Sequence, residues 1–207
     1  PSGCTSRCCT ASAPTPCSNG TYNPTVGEGV SCPSCPAGYW CGRGFSRFTT
    51  EHGYAKPNDA RGLALMNACA TAVMRDWGEI VLAYGHSDEF SFVFPRSATT
   101  FGRRASKLST GIVSLFAATF VMRWRDFFPD DVPLRYAPAF DARCVLYPSI
   151  ETAVDYVKWR QVDAYINSMY NEVFWALVLR GGMAHDAAHA SLKGTLSEHK
   201  QELLFTR

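Results

Sequence analysis

At 207 residues the chain corresponds to about 1.4 typical domains, and its 46% hydrophobic and 13% aromatic content is enough for a sizeable core and too apolar for a disordered chain. The 20 Lys and Arg against 18 Asp and Glu leave a formal charge of +2, which excludes a polybasic tail protein but not a local basic site. No apolar run reaches about 18 residues, which argues against a membrane-spanning helix; residue 1 is Pro and no charged-then-apolar leader follows it, so targeting is not legible and a fragment or processed product is expected.

Cysteine divides the chain. Cys4, Cys8, Cys9, Cys17, Cys32, Cys35 and Cys41 lie in the first 41 residues, and only Cys69 and Cys144 follow. The same segment is rich in Pro, Gly and Ser and poor in aliphatic residues, so it cannot bury a core without covalent or metal staples. Cys32-Pro-Ser-Cys35 has the spacing of half a zinc site, but no second pair follows at a matching distance, and a disulfide module is the alternative. The run from Cys17 to Cys41 resembles the cysteine-rich repeats of extracellular proteins. Asn19-Gly20-Thr21 is a formal glycosylation sequon. The boundary is placed near residue 41, giving a cysteine-rich segment over 1–41 and a second region over 42–207.

From Gly42 onward helix-length periodicity sets in. Asn58-Asp59 offers a cap, and Leu63, Met66, Ala70, Val73 and Trp77 then recur at helical spacing. Residues 79–84 and 89–94 read as strands, the second alternating Phe90, Phe92 and Phe94 with Glu89, Ser91 and Val93, and the Gly85-His86-Ser87-Asp88 turn between them predicts a hairpin. A second helix is predicted over 103–127 with Leu108, Ile112, Leu115, Thr119 and Phe120 on one face. Arg143–Tyr147 reads as a strand, and a long helix from about Thr152 to Arg180 runs through Val162, Ile166, Met169, Val173 and Leu177 to the Gly181-Gly182 stop. Mixed strands and helices without regular alternation indicate an α+β fold.

Ser87-Asp88-Glu89 is the sharpest chemical candidate. Adjacent carboxylates at a hairpin turn supply the hard oxygen donors that divalent cations and phosphoryl transfer need; a merely solvated polar turn is the alternative. Gly42-Arg43-Gly44-Phe45-Ser46-Arg47 is a glycine-containing turn with two arginines, able to cradle phosphates through freed backbone N–H groups or to be an ordinary turn. Arg103, Arg104 and Lys107 sit near the start of the second helix, with 103 and 107 on one face, where cations oppose the helix dipole unless an anion accompanies them. Lys56, before Pro57-Asn58-Asp59, is a further candidate phosphate contact. Arg123, Trp124, Arg125, Trp159, Arg160 and Gln161 mix cations with flat rings as RNA binding does, although Trp at helical spacing also fits a core. His185, His189 and His199 lack acidic ligands at metal spacing and read as surface.

These segments together resemble the eukaryotic tRNA-histidine guanylyltransferases. The resemblance rests on Gly42-Arg43-Gly44-Phe45, Ala55-Lys56-Pro57-Asn58-Asp59, Tyr84 through Phe94, Arg103-Arg104-Ala105-Ser106-Lys107, Phe140-Asp141, Tyr147-Pro148-Ser149 and Trp159-Arg160-Gln161. It implies a palm-like α+β catalytic domain over 42–207, an antiparallel sheet with packed helices. It implies two Mg2+ ions, GTP and ATP as substrates, tRNA(His) as partner, a homotetramer without membrane association, and a cytoplasmic, nuclear or mitochondrial setting. Under the resemblance Asp88 bridges the metals, Glu89 is the second acid, Ser87 touches the nucleotide and the Gly42 carbonyl is a metal ligand. The backbone from Gly42 to Arg47 holds a triphosphate, and Lys56, Arg103, Arg104 and Lys107 hold phosphates.

The sequence departs from that pattern where the family has Asp-Gly-Arg and this chain reads Cys41-Gly42-Arg43. A cysteine sulfur is a poor Mg2+ ligand, so a chain inactive as written is an expectation. The strand that precedes the family's Asp is replaced by the cysteine-rich segment, leaving the palm's first strand incomplete. Tyr165 stands where the family has His, and the family continues beyond Leu204-Phe205-Thr206-Arg207, so part of the RNA-binding surface is expected outside this chain. The cysteine-rich half calls for an oxidising, extracellular setting and the rest for an intracellular one, which makes an incorrectly joined chain the simplest expectation. A non-catalytic GTP- or RNA-binding relic and a secreted cysteine-rich binding protein with a passenger domain are the other readings.

Overall fold

The computed structural model describes residues 15–16, 22–23 and 44–206. The expected disulfide module, the sequon and the incomplete first palm strand lie outside the described residues; in that region only the antiparallel pairing of β1 (Thr15–Pro16) with β2 (Tyr22–Asn23) is given. The chain divides into two compact units, one comprising the residues through Gly53 together with Arg61–Val145, the other Tyr54–Ala60 with Leu146–Arg207.

The first unit is built on three helices and a hairpin. Helix α1 (Phe45–Glu51) starts from Gly44, whose φ of 64° is a left-handed value that glycine adopts without a Cβ clash. Helix α2 (Ala60–Asp76) buries Leu65, Met66, Cys69, Ala70 and Val73, while Leu63, expected on that face, is exposed. Trp77 is buried just past the helix end, its N–H still bonded to the Val73 carbonyl at 2.9 Å. Strands β3 (Leu82–His86) and β4 (Glu89–Val93) form an antiparallel hairpin in which Gly85 faces Phe90 and His86 faces Glu89. A 3-10 turn (Thr100–Arg103) leads into α3 (Ala105–Phe127), which buries Ile112, Phe116, Thr119, Phe120 and Trp124.

Helix α3 is the core of this unit and is also long and apolar enough to cross a membrane by length and composition. Its aromatic face explains the first property. Phe116 meets Phe90 of β4 at 5.8 Å and Phe140 at 5.1 Å, and Phe120 and Trp124 meet Phe48 of α1 at 5.7 and 5.8 Å. Edge-on ring pairs at such spacings add about 0.5–1.5 kcal/mol each beyond area burial. His52, 2% exposed, ties α1 to the loop after α3. Its Nε2 accepts the Arg135 N–H at 2.9 Å, so Nδ1 carries the proton and donates to the Phe48 carbonyl at 2.8 Å.

The strand expected over Arg143–Tyr147 is not formed. Among the described residues no strand pairs with this segment, and a strand needs a neighbour for its backbone N–H and C=O groups. Its polar groups bond elsewhere: Arg143 approaches Asp141 at 3.8 Å, and the Cys144 thiol donates to the Ala105 carbonyl at 3.4 Å.

The second unit is helical. Helix α4 (Ile150–Trp175) opens with a reciprocal capping box between Ser149 and Thr152 and widens into a π turn over Ala176–Arg180. Helices α5 (His185–Leu192) and α6 (Ser197–Thr206) follow. Val173, Phe174, Leu177, Ala188 and Leu192 form the core. Val162 and Ile166, expected on the buried face of α4, are exposed, whereas Arg160 is buried. The architecture is α+β, helix-rich with a small antiparallel sheet.

Candidate active site

Ser87 and Asp88 alone form the turn between β3 and β4, shorter than the four-residue turn expected because Gly85 and His86 remain in the ladder. A two-residue hairpin requires a positive φ within the turn, and Ser87 supplies it at 54°. Asp88 and Glu89 are half-buried. The tip is held from behind by a packing constraint at Gly85: a Cβ there would stand 2.4 Å from the Phe90 ring. Phe90 therefore lies flat over the opposite strand, stacks on Phe92 at 6.0 Å and reaches α3 through Phe116. The acidic tip and helix α1 are thus fastened to one rigid element.

The turn expected over Gly42 to Arg47 is corrected from Phe45 on: Gly44 caps α1 and Phe45, Ser46 and Arg47 form its first turn, with Gly42 and Arg43 outside the described residues. Phe45 stacks on Phe48 at 5.5 Å. The Ser46 carbonyl accepts both the Thr49 and Thr50 hydroxyls, and Arg47 Nε donates to Glu51 Oε1 at 2.6 Å, an exposed pair of small energetic weight.

The approach to α3 is unusual. Phe101, Gly102 and Arg103 carry φ of 50°, 59° and 56° in succession. For the two non-glycine residues such a conformation costs about 1–3 kcal/mol each and persists only when the surroundings over-determine it. Arg103 Nη1 donates to the Pro95 and Ala98 carbonyls at 3.0 and 3.2 Å, closing the loop on itself, and Arg104 Nε donates to the Phe101 carbonyl at 3.0 Å. Arg103 therefore lies outside the helix, and the expectation that it shares a helical face with Lys107 is corrected: α3 begins at Ala105, with Arg104 as its cap. Lys107 is exposed in the first turn.

Glu79 was not singled out by its sequence context, yet it organises this loop. Oε1 accepts the Thr99 N–H at 2.8 Å, Oε2 accepts the Thr100 N–H at 2.7 Å, and the Thr100 hydroxyl also bonds to Oε2. The Thr100 hydroxyl, followed by the two amides, holds the Glu79 carboxyl below the ordinary carboxylate range. The signal is invisible in sequence because the partners are 20 residues apart in a segment that reads as strand.

Lys56 belongs to the second unit, where α4 grips its loop. Asp59 closes the loop by accepting the Ala55 N–H at 2.8 Å, Asn58 donates to Glu172 at 3.1 Å, and the Lys56 ammonium lies 5.8 Å from the centre of the Trp175 ring. Glu172 and Trp175 are one helical turn apart, so a single stretch of α4 fixes the loop.

The mixture of arginine and tryptophan suggested for RNA divides: Trp124 and Arg160 are buried, while Arg123, Arg125 and Gln161 stay at the surface. Trp124 is core, and Arg160 is buried, bonded to Asp163 at 3.0 Å and placed over the Trp159 ring at 4.7 Å. Arg123 and Arg125 pair with Asp126 and Asp130. His185, His189 and His199 are exposed, as read; His189 also bonds the Tyr170 hydroxyl at 2.6 Å.

Among the described residues no group of three or more His, Cys, Asp or Glu is placed to hold a metal. Asp88 and Glu89 nevertheless provide the donor chemistry that Mg2+ accepts, since that ion is usually bound by one or two carboxylates plus substrate phosphates. A cavity of about 290 Å3 beside the end of α1 is lined by Glu51, His52, Asp131 and Arg135 among others; its lining includes none of the sequence-predicted site residues.

The tRNAHis guanylyltransferase family model matches residues 41–148, and the model of the family's C-terminal domain matches 151–207. A tRNA(His) guanylyltransferase from Neurospora crassa is 52% identical over 167 residues, covering 80% of this chain and 57% of that protein. The crystal structure of the Saccharomyces cerevisiae tRNA(His) guanylyltransferase superposes with a TM-score of 0.78 at 42% identity, covering 81% of this chain and 74% of that one. A bacterial tRNA(His) guanylyltransferase-like protein in complex with ATP gives a TM-score of 0.65 at 25% identity, covering 84% and 73%. The chain spans 55% of the length of the mouse and human relatives it matches. With the family's two models matching residues 41–148 and 151–207 and the fold superposing on that of a family member, the chain belongs to the tRNA(His) guanylyltransferase family.

Proposed function

We propose that residues 42–207 form the nucleotidyl-transfer region of a tRNA(His) guanylyltransferase, which adds guanosine from GTP to the 5′ end of tRNA(His) after ATP has activated the RNA 5′-phosphate. The observation that carries this reading is the acidic tip Ser87-Asp88-Glu89, set on a two-residue turn and braced through Phe90 to α3. Catalysis of phosphoryl transfer is mainly positioning and electrostatics, and a braced hairpin tip suits it better than a mobile loop.

In this mechanism Asp88 and the Gly42 carbonyl would hold Mg2+, with Glu89 as the second acid of the tip. When bound, Mg2+ offsets phosphate charge and makes the attacking hydroxyl more acidic. Ser87 contacts the nucleotide. The segment from Gly42 to Arg47 (Gly42, Arg43, Gly44, Phe45, Ser46 and Arg47), whose last three residues open α1, receives a triphosphate, and Lys56, Arg103, Arg104 and Lys107 neutralise phosphates of GTP or of the activating ATP. The 3′-hydroxyl of GTP attacks the activated 5′-phosphate, the activating nucleotide leaves, and pyrophosphate is removed later.

The reading places the protein with tRNA and nucleotides in cytoplasm, nucleus or mitochondrion, as a homotetramer; the exposed Ile150, Val154, Val162 and Ile166 on α4 give such an assembly apolar surface to cover. Cys41 in place of Asp weakens metal binding, so transfer by the chain as it stands is expected to be feeble. Incorporation of radiolabelled GTP into tRNA(His), measured with and without Cys41→Asp, tests the proposal. The substitution is expected to raise Mg2+-dependent transfer at least about 100-fold, the scale of several kcal/mol of charge stabilisation. GTP binding with no transfer by the folded Cys41→Asp protein would favour a non-catalytic relic.

A further inference from the structure

We infer that Glu79 is a positioning residue for the triphosphate: its carboxylate fixes the left-handed Phe101-Gly102-Arg103 run and thereby sets Arg103, Arg104 and Lys107 toward one anion. This rests on the proposal that those three cations hold nucleotide phosphates.

The geometry makes a carboxylate the required group. Thr99 N–H and Thr100 N–H each point at a different oxygen of Glu79, at 2.8 and 2.7 Å, and the Thr100 hydroxyl joins the second oxygen. Both oxygens must accept, which an amide cannot do, since its NH2 would face one of the backbone N–H groups. The clamped pair immediately precedes the three positive-φ residues. At the other end of the run Arg103 is tied to the Pro95 and Ala98 carbonyls, and the Gly102 N–H bonds the Thr99 carbonyl at 2.8 Å. The clamp also crosses the strand pair: Glu79 lies just before β3, and Thr99 and Thr100 lie after β4, so the loop that bears the cations is fastened to the base of the hairpin whose tip bears Asp88 and Glu89.

Strain of this kind survives only under constraint. Glu79 supplies it, and the side chains it sets are those that would meet a triphosphate. Releasing the clamp with Glu79→Gln keeps every cation and removes one anion, which by itself would favour phosphate, but lets the cations diverge. Recognition of a triphosphate, which needs several cations at once, then falls more than recognition of a monophosphate.

The test is calorimetric titration of the full chain in Mg2+ with GTP and with GMP, for the unsubstituted protein, Glu79→Gln, Thr100→Val and Arg104→Ala. Glu79→Gln is expected to weaken GTP about tenfold, as loss of a charge-assisted hydrogen bond does, while GMP affinity changes less than about twofold. Thr100→Val, which keeps the N–H and removes only the hydroxyl, gives a smaller loss in the same direction. A general folding defect would instead weaken both ligands together, and that result would overturn the inference. Retention of the GTP preference by Glu79→Gln, with its loss in Arg104→Ala, would overturn the role of Glu79 alone. Equal GTP and GMP affinity in the unsubstituted chain would overturn both this inference and the triphosphate site beneath it.

Discussion

Cys69 and Cys144 share a residue type but not an environment. Cys69 is fully buried in α2, and burial pushes its thiol up to about 12; Cys144 is exposed, its thiol also raised by partial burial. The thiolate is the reactive form, so alkylation of the native protein at pH 8, mapped by mass spectrometry, is expected to label Cys144 while sparing Cys69 until denaturant is added. Labelling of both at equal rate would show that α2 is not packed as described. Glu79 gives a pH signature. Its folded carboxyl lies below the ordinary value of 4.5, so its contribution to stability is present above that value and is lost as pH falls through the folded one. The stability difference between the unsubstituted protein and Glu79→Gln should be constant near neutrality and close below pH 4.5. A difference unchanged at acid pH would contradict the clamp.

At the scale of elements, the hairpin and α3 stand or fall together. Phe116 touches both Phe90 and Phe140, and Phe116→Ala is expected to cost about 3–5 kcal/mol in chemical denaturation, the usual range for a buried phenylalanine. Gly85→Ala is the subtler test. Its new methyl would meet the Phe90 ring at 2.4 Å, so a loss of about 1–3 kcal/mol is expected with a disturbed turn at Ser87-Asp88; unchanged stability would mean that Phe90 does not lie over Gly85. Helices α2, α3 and α4 and the hairpin were legible because apolar periodicity and turn composition are local signals, whereas α1 reads as a turn because Gly42 and Gly44 dominate its start. Leu63 and Ile166 show the limit of that reading: correct spacing placed them on the core face, but the buried stripe runs beside them through Leu65, Cys69 and Val173. The Arg143–Tyr147 strand failed for another reason, since β propensity says nothing of whether a partner strand is present. Arg160, grouped with the RNA-type cations in the sequence, is buried, bonded to Asp163 and lying over Trp159 on the same helix.

At the scale of the molecule, the candidate residues come from segments far apart in sequence, the tip and the Arg103–Lys107 cations in one unit and Lys56 in the other. The acidic tip, Lys56 and the cations at the start of α3 were visible as local charge patterns, and the family resemblance added the roles assigned to them. What holds them was not visible: Glu79 on Thr99 and Thr100, and Glu172 with Trp175 on the Lys56 loop, are pairings between distant positions that only the fold brings together. The cation–ring contact predicts that Trp175→Ala weakens ATP or GTP binding by a few fold, about the worth of a single cation–π contact, while Trp175→Phe restores most of it; equal losses in both would point to packing alone. The central claim is that Asp88 on the braced tip is the acid through which nucleotide transfer depends on Mg2+. The most direct measurement compares Mg2+-dependent GTP incorporation into tRNA(His) by Cys41→Asp and by Cys41→Asp with Asp88→Asn, each checked for the same thermal unfolding. Loss of transfer by at least about 100-fold on adding Asp88→Asn is predicted, and transfer that persists at a similar rate without the Asp88 carboxylate would contradict the account.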